Sequence, residues 1–251
     1  MSGDPSVSLV VSIVAVGISA FSASVSTRQF LRTQRTRLGE LVSEISRANA
    51  EYDQMLADKN FVVGLDVVAN HDLRQEVLAR QALELLRSAR PRPSSREMVV
   101  LANTFWRMND HPTADKLYGQ ALAEAEREGP SYVSTARSEY GVYLFDIGRY
   151  QQGSAQLGEA IAVIPSPGGD RSLQRRFHGL GTRAVQHALH NYQLDEAEAF
   201  LREAQVILDQ AEGVDFRQEM SDDLRDYRHQ LSDARRAAQR RPGGGAPRTS
   251  R

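Results

Sequence analysis

No cysteine occurs in the chain, which excludes disulfides, thiolate metal sites and a cysteine nucleophile. An excess of either charge is also missing. The 31 Lys and Arg stand against 32 Asp and Glu, a formal net charge of −1, so nothing global points to nucleic acid. Lysine is scarce, with Lys59 and Lys116 the two among those 31 basic residues; this bias carries no mechanistic weight. Phosphate-cradling loops are missing too. The Gly168–Gly169 pair precedes an expected helix, yet neither GxxxxGK[ST] nor GxGxxG surrounds it. What is present is room for a core: 251 residues, 41% of them hydrophobic, suffice for one domain of ordinary size with appendages.

One long apolar run stands out. From Ser6 to Thr27 no residue is charged, and about 20 helical residues span a hydrocarbon core of roughly 30 Å. Its serines are tolerable because a hydroxyl can bond a carbonyl of the preceding turn. A secretory signal would carry basic residues ahead of the run, but Asp4 is the only charged side chain there. The basic residues follow it: Arg28, Arg32, Arg35 and Arg37, before the first acid at Glu40. Cytoplasmic flanks carry the Lys/Arg excess. The expected topology is therefore an extracytoplasmic N-terminus (1–5), a transmembrane helix (6–27) and a cytoplasmic remainder, with the four arginines near lipid head groups. A cleaved or inverted segment and a non-spanning apolar helix are the competing readings. Ala15, Ser19 and Ala23 place small residues on one face, a spacing that so Ala- and Ser-rich a segment produces readily by chance.

Residues 28–69 read as a juxtamembrane amphipathic helix and linker. Leu38, Leu41, Ile45, Ala48, Tyr52 and Met55 recur at spacings of three and four. The seam runs for only two and a half heptads, so it either pairs with a second copy as a short coiled coil or packs on the chain's own helical domain. NFVVGLDVVA (60–69) is a bend or a continued helix, and Asn70 and Asp72 are expected caps of a helix from Leu73 to Ser88 that ends before Pro91 and Pro93.

Beyond that break a hairpin pattern recurs over residues 95–211, inside an expected repeat domain of 70–240. The expected pairs are Ser95–Met108 with Pro112–Glu128, Tyr132–Asp146 with Tyr150–Ile164, and Ser172–His190 with Leu194–Gln210. Extended loops are expected at Glu128–Ser131 and Ser166–Arg171. The second helices align as HPTADKLYGQAL, YQQGSAQLGEAI and LDEAEAFLREAQ. Each has a small residue (Ala114, Gly153, Ala197), then a bulky one (Tyr118, Leu157, Leu201), then another small one (Ala121, Ala160, Ala204). The first helices carry Ala102, Gly141 and Val185 at matching positions. Small residues let paired helices approach, and bulky ones fill the groove between units. Phe216, Met220, Leu224, Tyr227, Leu231 and Ala234 form a narrow stripe on a polar C-terminal helix, as a capping helix shows. The tail 241–251 lacks apolar residues and is expected to be disordered.

These units resemble the tetratricopeptide repeat family, a 34-residue helix–turn–helix repeat. Gly141, Gly148, Tyr150, Ala160 and Pro165 sit where that family has its small residue, turn glycine, turn aromatic, late alanine and closing proline. The spacings depart from it: Ala114 to Gly153 is 39 residues and Gly153 to Ala197 is 44. Met98, Arg137 and Gly181 stand in place of the early aromatic. The resemblance implies an all-α solenoid of antiparallel helix pairs whose first helices line a groove for a protein or peptide partner. By position, that groove includes Asn103, Arg107, Glu139, Asp146, Arg183, Gln186 and His190.

Catalytic patterns are not apparent. His187 and His190 share a helix face without a third ligand at a suggestive spacing, so no metal or cofactor is expected. Asp222–Asp223 and Glu196–Glu198 read as solvated helix faces. Arg175–Arg176, Arg235–Arg236 and Arg240–Arg241 are interleaved with acids and lack aromatic stacking partners, so no nucleic-acid partner is expected. The expected function is a membrane-anchored scaffold or adaptor and not an enzyme. The alternative is a self-associating structural membrane protein, homodimeric through the span and the seam; an enzyme with an unrecognised site ranks third.

Overall fold

A computed structural model describes the backbone of residues 5–57, 65–88, 92–164, 170–191, 193–211 and 213–240, and side chains within 26–55, 67–88, 92–164, 171–190, 193–211, 213 and 215–240. Among the described residues every regular element is helical and none is a strand, so the fold class is all-α. The helices are α1 (Pro5–Ala57), α2 (Leu65–Ser88), α3 (Ser95–Arg107), α4 (His111–Glu128), α5 (Pro130–Asp146), α6 (Tyr150–Ala162), α7 (Asp170–Gln186), α8 (Leu194–Asp209) and α9 (Val214–Gln239), with a π-helical turn (His187–Asn191) after α7. Among the described residues no helix is long and apolar enough to cross a membrane. The apolar run 6–27 lies on the backbone of α1, but its side chains through residue 25 lie outside the described residues, as do the tail 241–251 and residues 166–169 of the expected loop at 166–171, whose last two residues belong to α7. Contacts divide the chain into two compact units, Met1–Ala114 and Asp115–Arg251, with the boundary inside α4.

In the first unit the apolar seam of α1 is closed by the chain itself. Leu38, Leu41, Val42, Ile45 and Ala48 are buried, and α1 packs on both α2 and α3. Leu38, Leu41 and Ile45 alone represent roughly 5–9 kcal/mol of apolar burial at the usual 1.5–3 kcal/mol per large side chain. A second copy could reach this seam only by displacing α2 or α3, so it is a core stripe and not an open coiled-coil seam. Polar contacts fix the directions. Arg74 donates to Glu44 at 2.8 Å while His71, nearer the start of α2, stacks on Tyr52 at 4.2 Å, so α1 and α2 run antiparallel. Arg35 pairs with Glu97, and Arg107 donates to Asn49 at 2.9 Å, so α1 and α3 run parallel. Asn70 and Asp72 lie inside α2 and do not cap it, because α2 spans Leu65–Ser88.

Of the four arginines expected at head groups, Arg28 and Arg32 are exposed and Arg37 pairs with Glu40 at 3.2 Å. Arg35 is committed elsewhere: its guanidinium grips both Glu97 oxygens at 2.6 and 2.7 Å. Ser94 caps α3, and Glu97 returns to the Ser94 N–H at 2.7 Å to complete a capping box.

Two turns repeat 39 residues apart. After α3, the N–H groups of Met108, Asn109 and Asp110 bond the carbonyls of Thr104, Trp106 and Phe105; after α5, those of Ile147, Gly148 and Arg149 bond Tyr143, Phe145 and Leu144. The same position takes a left-handed backbone in each, Asn109 at φ 59° and Gly148 at φ 79°. Both are residue types that tolerate it. The expected loop at Glu128–Ser131 is absent: Gly129, at φ 120°, alone separates α4 from α5, and Pro130 opens α5 at the position where a missing N–H costs nothing. Between Ala114 and Gly153 the extra spacing is taken up by helix.

In the second unit each helix from α5 to α9 packs on the next, and α7 also touches α5 and α9. Gly141 faces Leu157 while Phe145 faces Gly153, so α5 and α6 are antiparallel. Arg228 donates to Gln205 and Arg235 to Glu198, so α8 and α9 are too. The small and bulky positions of the second helices are all buried: Ala114, Gly153 and Ala197, then Tyr118, Leu157 and Leu201, then Ala121, Ala160 and Ala204. The buried small residues here are Gly181 and Ala184 on α7 and Ala188 in the π-helical turn; Val185 is half-buried. The α9 stripe closes this core with Met220, Leu224, Leu231 and Ala234 buried and Phe216 and Tyr227 packed against it.

Candidate functional site

The residues expected in a groove divide between the units. Asn103, half-buried, and Arg107, exposed and bonded to Asn49, lie on α3 in the first. The other five lie in the second. On α5, Asp146 is exposed and Glu139 half-exposed. On and just after α7 are Arg183, Gln186 and His190. Arg183 is turned inward: its guanidinium lies 4.2 Å from the Phe200 ring on α8 and donates to Ser154 Oγ on α6 at 3.2 Å. Burial pulls its pKa down, against the pull of Glu196 and Glu203. Its role is to join α6, α7 and α8. Gln186 and His190 are half-buried, the His190 ring 6.4 Å from Phe145.

Around Arg183 the helices enclose a directed chain of polar groups that the sequence pattern did not reveal. His187, 4% exposed, stands at the start of the π-helical turn. Its Nδ1 is 2.6 Å from Gln193 Oε1 and 3.2 Å from Glu196 Oε2, and its Nε2 is 3.0 Å from Ser154 Oγ. Both oxygens beside Nδ1 are acceptors, so the proton belongs there, and Nε2 accepts from the serine hydroxyl. Arg183 donates to Ser154, Ser154 to His187, and His187 to Gln193. Hydrogen bonds so aligned polarise one another. The Phe145 and Phe200 rings, 5.3 and 5.4 Å away, cover the imidazole. Ser154 and Gln193 lie 33 and 6 residues from His187, so only the tertiary fold brings them together.

A serine, a histidine and a carboxylate in this order invite comparison with a nucleophilic triad. Catalysis would need a reacting carbon about 3 Å from the serine oxygen with oxyanion donors beside it. Here Arg183 and His187 occupy that oxygen, and Ser154 sits inside α6, where backbone N–H groups bond within the helix. The chain is a structural tie at the α7–α8 break. Among the described residues no group of three His, Asp or Glu side chains gathers as a metal ion would require.

The tie has a pH signature. Burial pushes the His187 pKa below its ordinary value, reinforced by Arg183 and opposed by Gln193 and Glu196. The folded state thus favours the neutral ring. The stability this contributes is present above the ordinary imidazole range and is lost as pH falls through the lowered pKa. Denaturant midpoints of the full chain should drop from pH 7.5 to pH 5.5, and by less in His187→Gln. An equal drop in the two proteins would place the acid sensitivity elsewhere.

A second polar knot ties α4 to α5. Tyr140 donates to Asp115 at 2.8 Å and Arg149 reaches the same oxygen at 3.1 Å. Burial and then the Asp115 contact push the Tyr140 phenol up to about 12. Tyr118 stacks on Tyr140 and tilts on Tyr143 at centroid distances of 5.2 and 5.0 Å.

No family model matches the chain, and neither a curated protein nor a solved structure proves similar to it.

Proposed function

We propose that the chain is a tetratricopeptide-like scaffold, tethered to a membrane through its N-terminal apolar helix, that holds a protein or peptide partner at the cytoplasmic face. The observation that carries this reading is the turn geometry repeated 39 residues apart, together with α7 lying against α5 and α9 while α6 and α8 pair with them. Helical hairpins stacked in this way cannot bury their faces singly, and the solenoid they build offers an extended face to a ligand.

The tether rests on the charge-free run 6–27 and the arginines that follow it. Phe30 and Leu31 support it: they are 54% and 42% exposed beside Arg28 and Arg32, an arrangement suited to the boundary between hydrocarbon and water. Because α1 is one helix from Pro5 to Ala57, the span would continue unbroken into the buried seam of the first unit. Tethering raises the effective concentration of the scaffold for membrane-proximal partners.

For contact with a partner the reading favours Glu139, Asp146, Gln186 and His190, and gives Arg183 a packing role. The double change Glu139→Lys and Asp146→Lys should cut recovery of co-purifying partners from native membranes about tenfold, the scale of one or two charged contacts. Thermal unfolding and membrane fraction should be unchanged. An identical partner set at identical yield would remove this face from the function.

A further inference from the structure

The first unit carries a cleft of about 390 Å³ bounded by α1, α2 and the end of α3. Two of the side chains that line it are nine-tenths or more buried and keep a polar atom without a partner. Gln75 is 4% exposed; its Nε2 donates to the Ile45 carbonyl at 3.3 Å, and its Oε1 has no hydrogen bond. The His71 side chain is 10% exposed; its Nδ1 lies 3.2 Å from Asp72 Oδ1, and its Nε2 has no partner. A carboxylate only accepts, so in the neutral ring the proton sits on Nδ1 and Nε2 presents a lone pair. Both unmet groups are therefore acceptors, and a buried acceptor left unmet is costly.

The surroundings say what would meet them. Asp72, Glu76 and Asp110 line the cleft, against Arg80 and Arg107. Arg80 is held by Glu76 at 2.8 Å and Arg107 by Asn49, which leaves the rim acidic by one charge. Leu73, at 61% exposure, forms an apolar shoulder at the mouth, and Val77, at 46%, is exposed one turn further along α2. Buried acceptors on two lining side chains, a net negative rim and an apolar shoulder complement a cation borne on a hydrocarbon stem, because long basic side chains lay their methylenes on apolar surface while the head group stays polar.

We infer that this cleft binds a primary ammonium or guanidinium group on a short aliphatic stem, from a free amine or from a Lys or Arg side chain of a peptide. The inference stands apart from the partner-binding reading, since it concerns the first unit alone.

The test is an NMR titration of the full-length protein in detergent at pH 8, with agmatine and with N-acetyl-arginine amide, following the His71 ring and Gln75 side-chain resonances. N-acetyl-citrulline amide, of the same shape but neutral, is the control. The expected result is saturation by the two cations with a dissociation constant roughly in the millimolar range and at least about tenfold weaker binding of the citrulline compound. Tighter binding of agmatine would identify a free amine as the source, and tighter binding of the capped arginine a peptide. Gln75→Leu and His71→Phe should each weaken binding about tenfold while the unit stays folded by its NMR spectrum, since each removes an unmet polar atom and His71→Phe keeps a ring against Tyr52. No saturation, equal binding of the neutral control, or binding undiminished in both variants would overturn the inference.

Discussion

Gly153→Val should unfold the second unit's α5–α6 pair, at a cost of about 3 kcal/mol or more. A Cβ at Gly153 would sit 2.6 Å from Phe145 Cδ2 and 2.9 Å from the carbonyl oxygen of Gly141. The first neighbour is a fully buried ring and the second is backbone, so neither can step aside. Gly141 mirrors the arrangement, its would-be Cβ lying 2.8 Å from Leu157 Cγ and 3.1 Å from the Gly153 carbonyl. Overpacking a close helix crossing costs typically 1–3 kcal/mol even when neighbours relax, and here the backbones themselves would have to separate. The two glycines already weaken their helices by roughly 0.5–1 kcal/mol each relative to alanine, a cost that the close approach must offset. Gly153→Ala is therefore expected to destabilise despite its better helix propensity. Gly119 is the internal control: it lies within α4 with nothing within 4 Å of a built Cβ, and Gly119→Ala should stabilise by about 0.5–1 kcal/mol. Denaturant unfolding of the three variants checks all of this. A stabilised Gly153→Ala protein would mean that α5 and α6 do not cross where the glycines place them.

The same glycine pair shows what the sequence made legible. Alternating bulk in the second helices announces a crossing because the packing rule acts at fixed helical spacing, and those positions are all buried. The α9 stripe and the seam from Leu38 to Ala48 were readable for the same reason. Less legible were features set by distant contacts. Asn70 and Asp72 look like caps, yet they lie inside α2, where packing on α1 outweighs local preference; the expected bend at 60–64 lies outside the described residues. Gly129 and Pro130 look like a loop, but one residue of left-handed backbone suffices between two helices. Assigned by position, Arg183 falls in a groove, whereas its actual direction depends on Ser154 and Phe200, 29 and 17 positions away. The π-helical turn that sets His187 between Ser154 and Gln193 has no local signature, and neither do the unmet acceptors of His71 and Gln75. The helices were visible in periodicity, while the polar sites between them depend on tertiary proximity.

Glu97→Ala should loosen the first unit by about 2–3 kcal/mol, because this one carboxylate holds two structures together. It completes the capping box of α3 through the Ser94 N–H, and it receives both Arg35 nitrogens from α1 across 62 residues of sequence. Losing a cap costs about 0.5–2 kcal/mol, and a hydrogen bond to a charged group is worth about 1.5–3 kcal/mol. The sum is held to the lower figures because the Arg35 side chain is 41% exposed and water screens the pair. Burial pushes the Glu97 pKa up, but the bonds from Arg35 and Ser94 more than reverse this, and the group stays below its ordinary value. Its contribution is therefore present above the unfolded carboxylate pKa and lost as pH falls through the lowered one. Glu97→Gln separates the two roles: an amide oxygen can still cap Ser94, so it should lose only the charge-dependent share and the acid sensitivity with it. Hydrogen exchange across Ser95–Leu101 in the full chain reads the effect directly, with faster exchange expected in the order Glu97→Ala, then Glu97→Gln, then wild type. Because Arg35 lies on the same unbroken helix as the proposed membrane span, this pair would also transmit the tether's position to α3, and equal exchange in all three proteins would leave α1 joined to the unit by apolar packing alone.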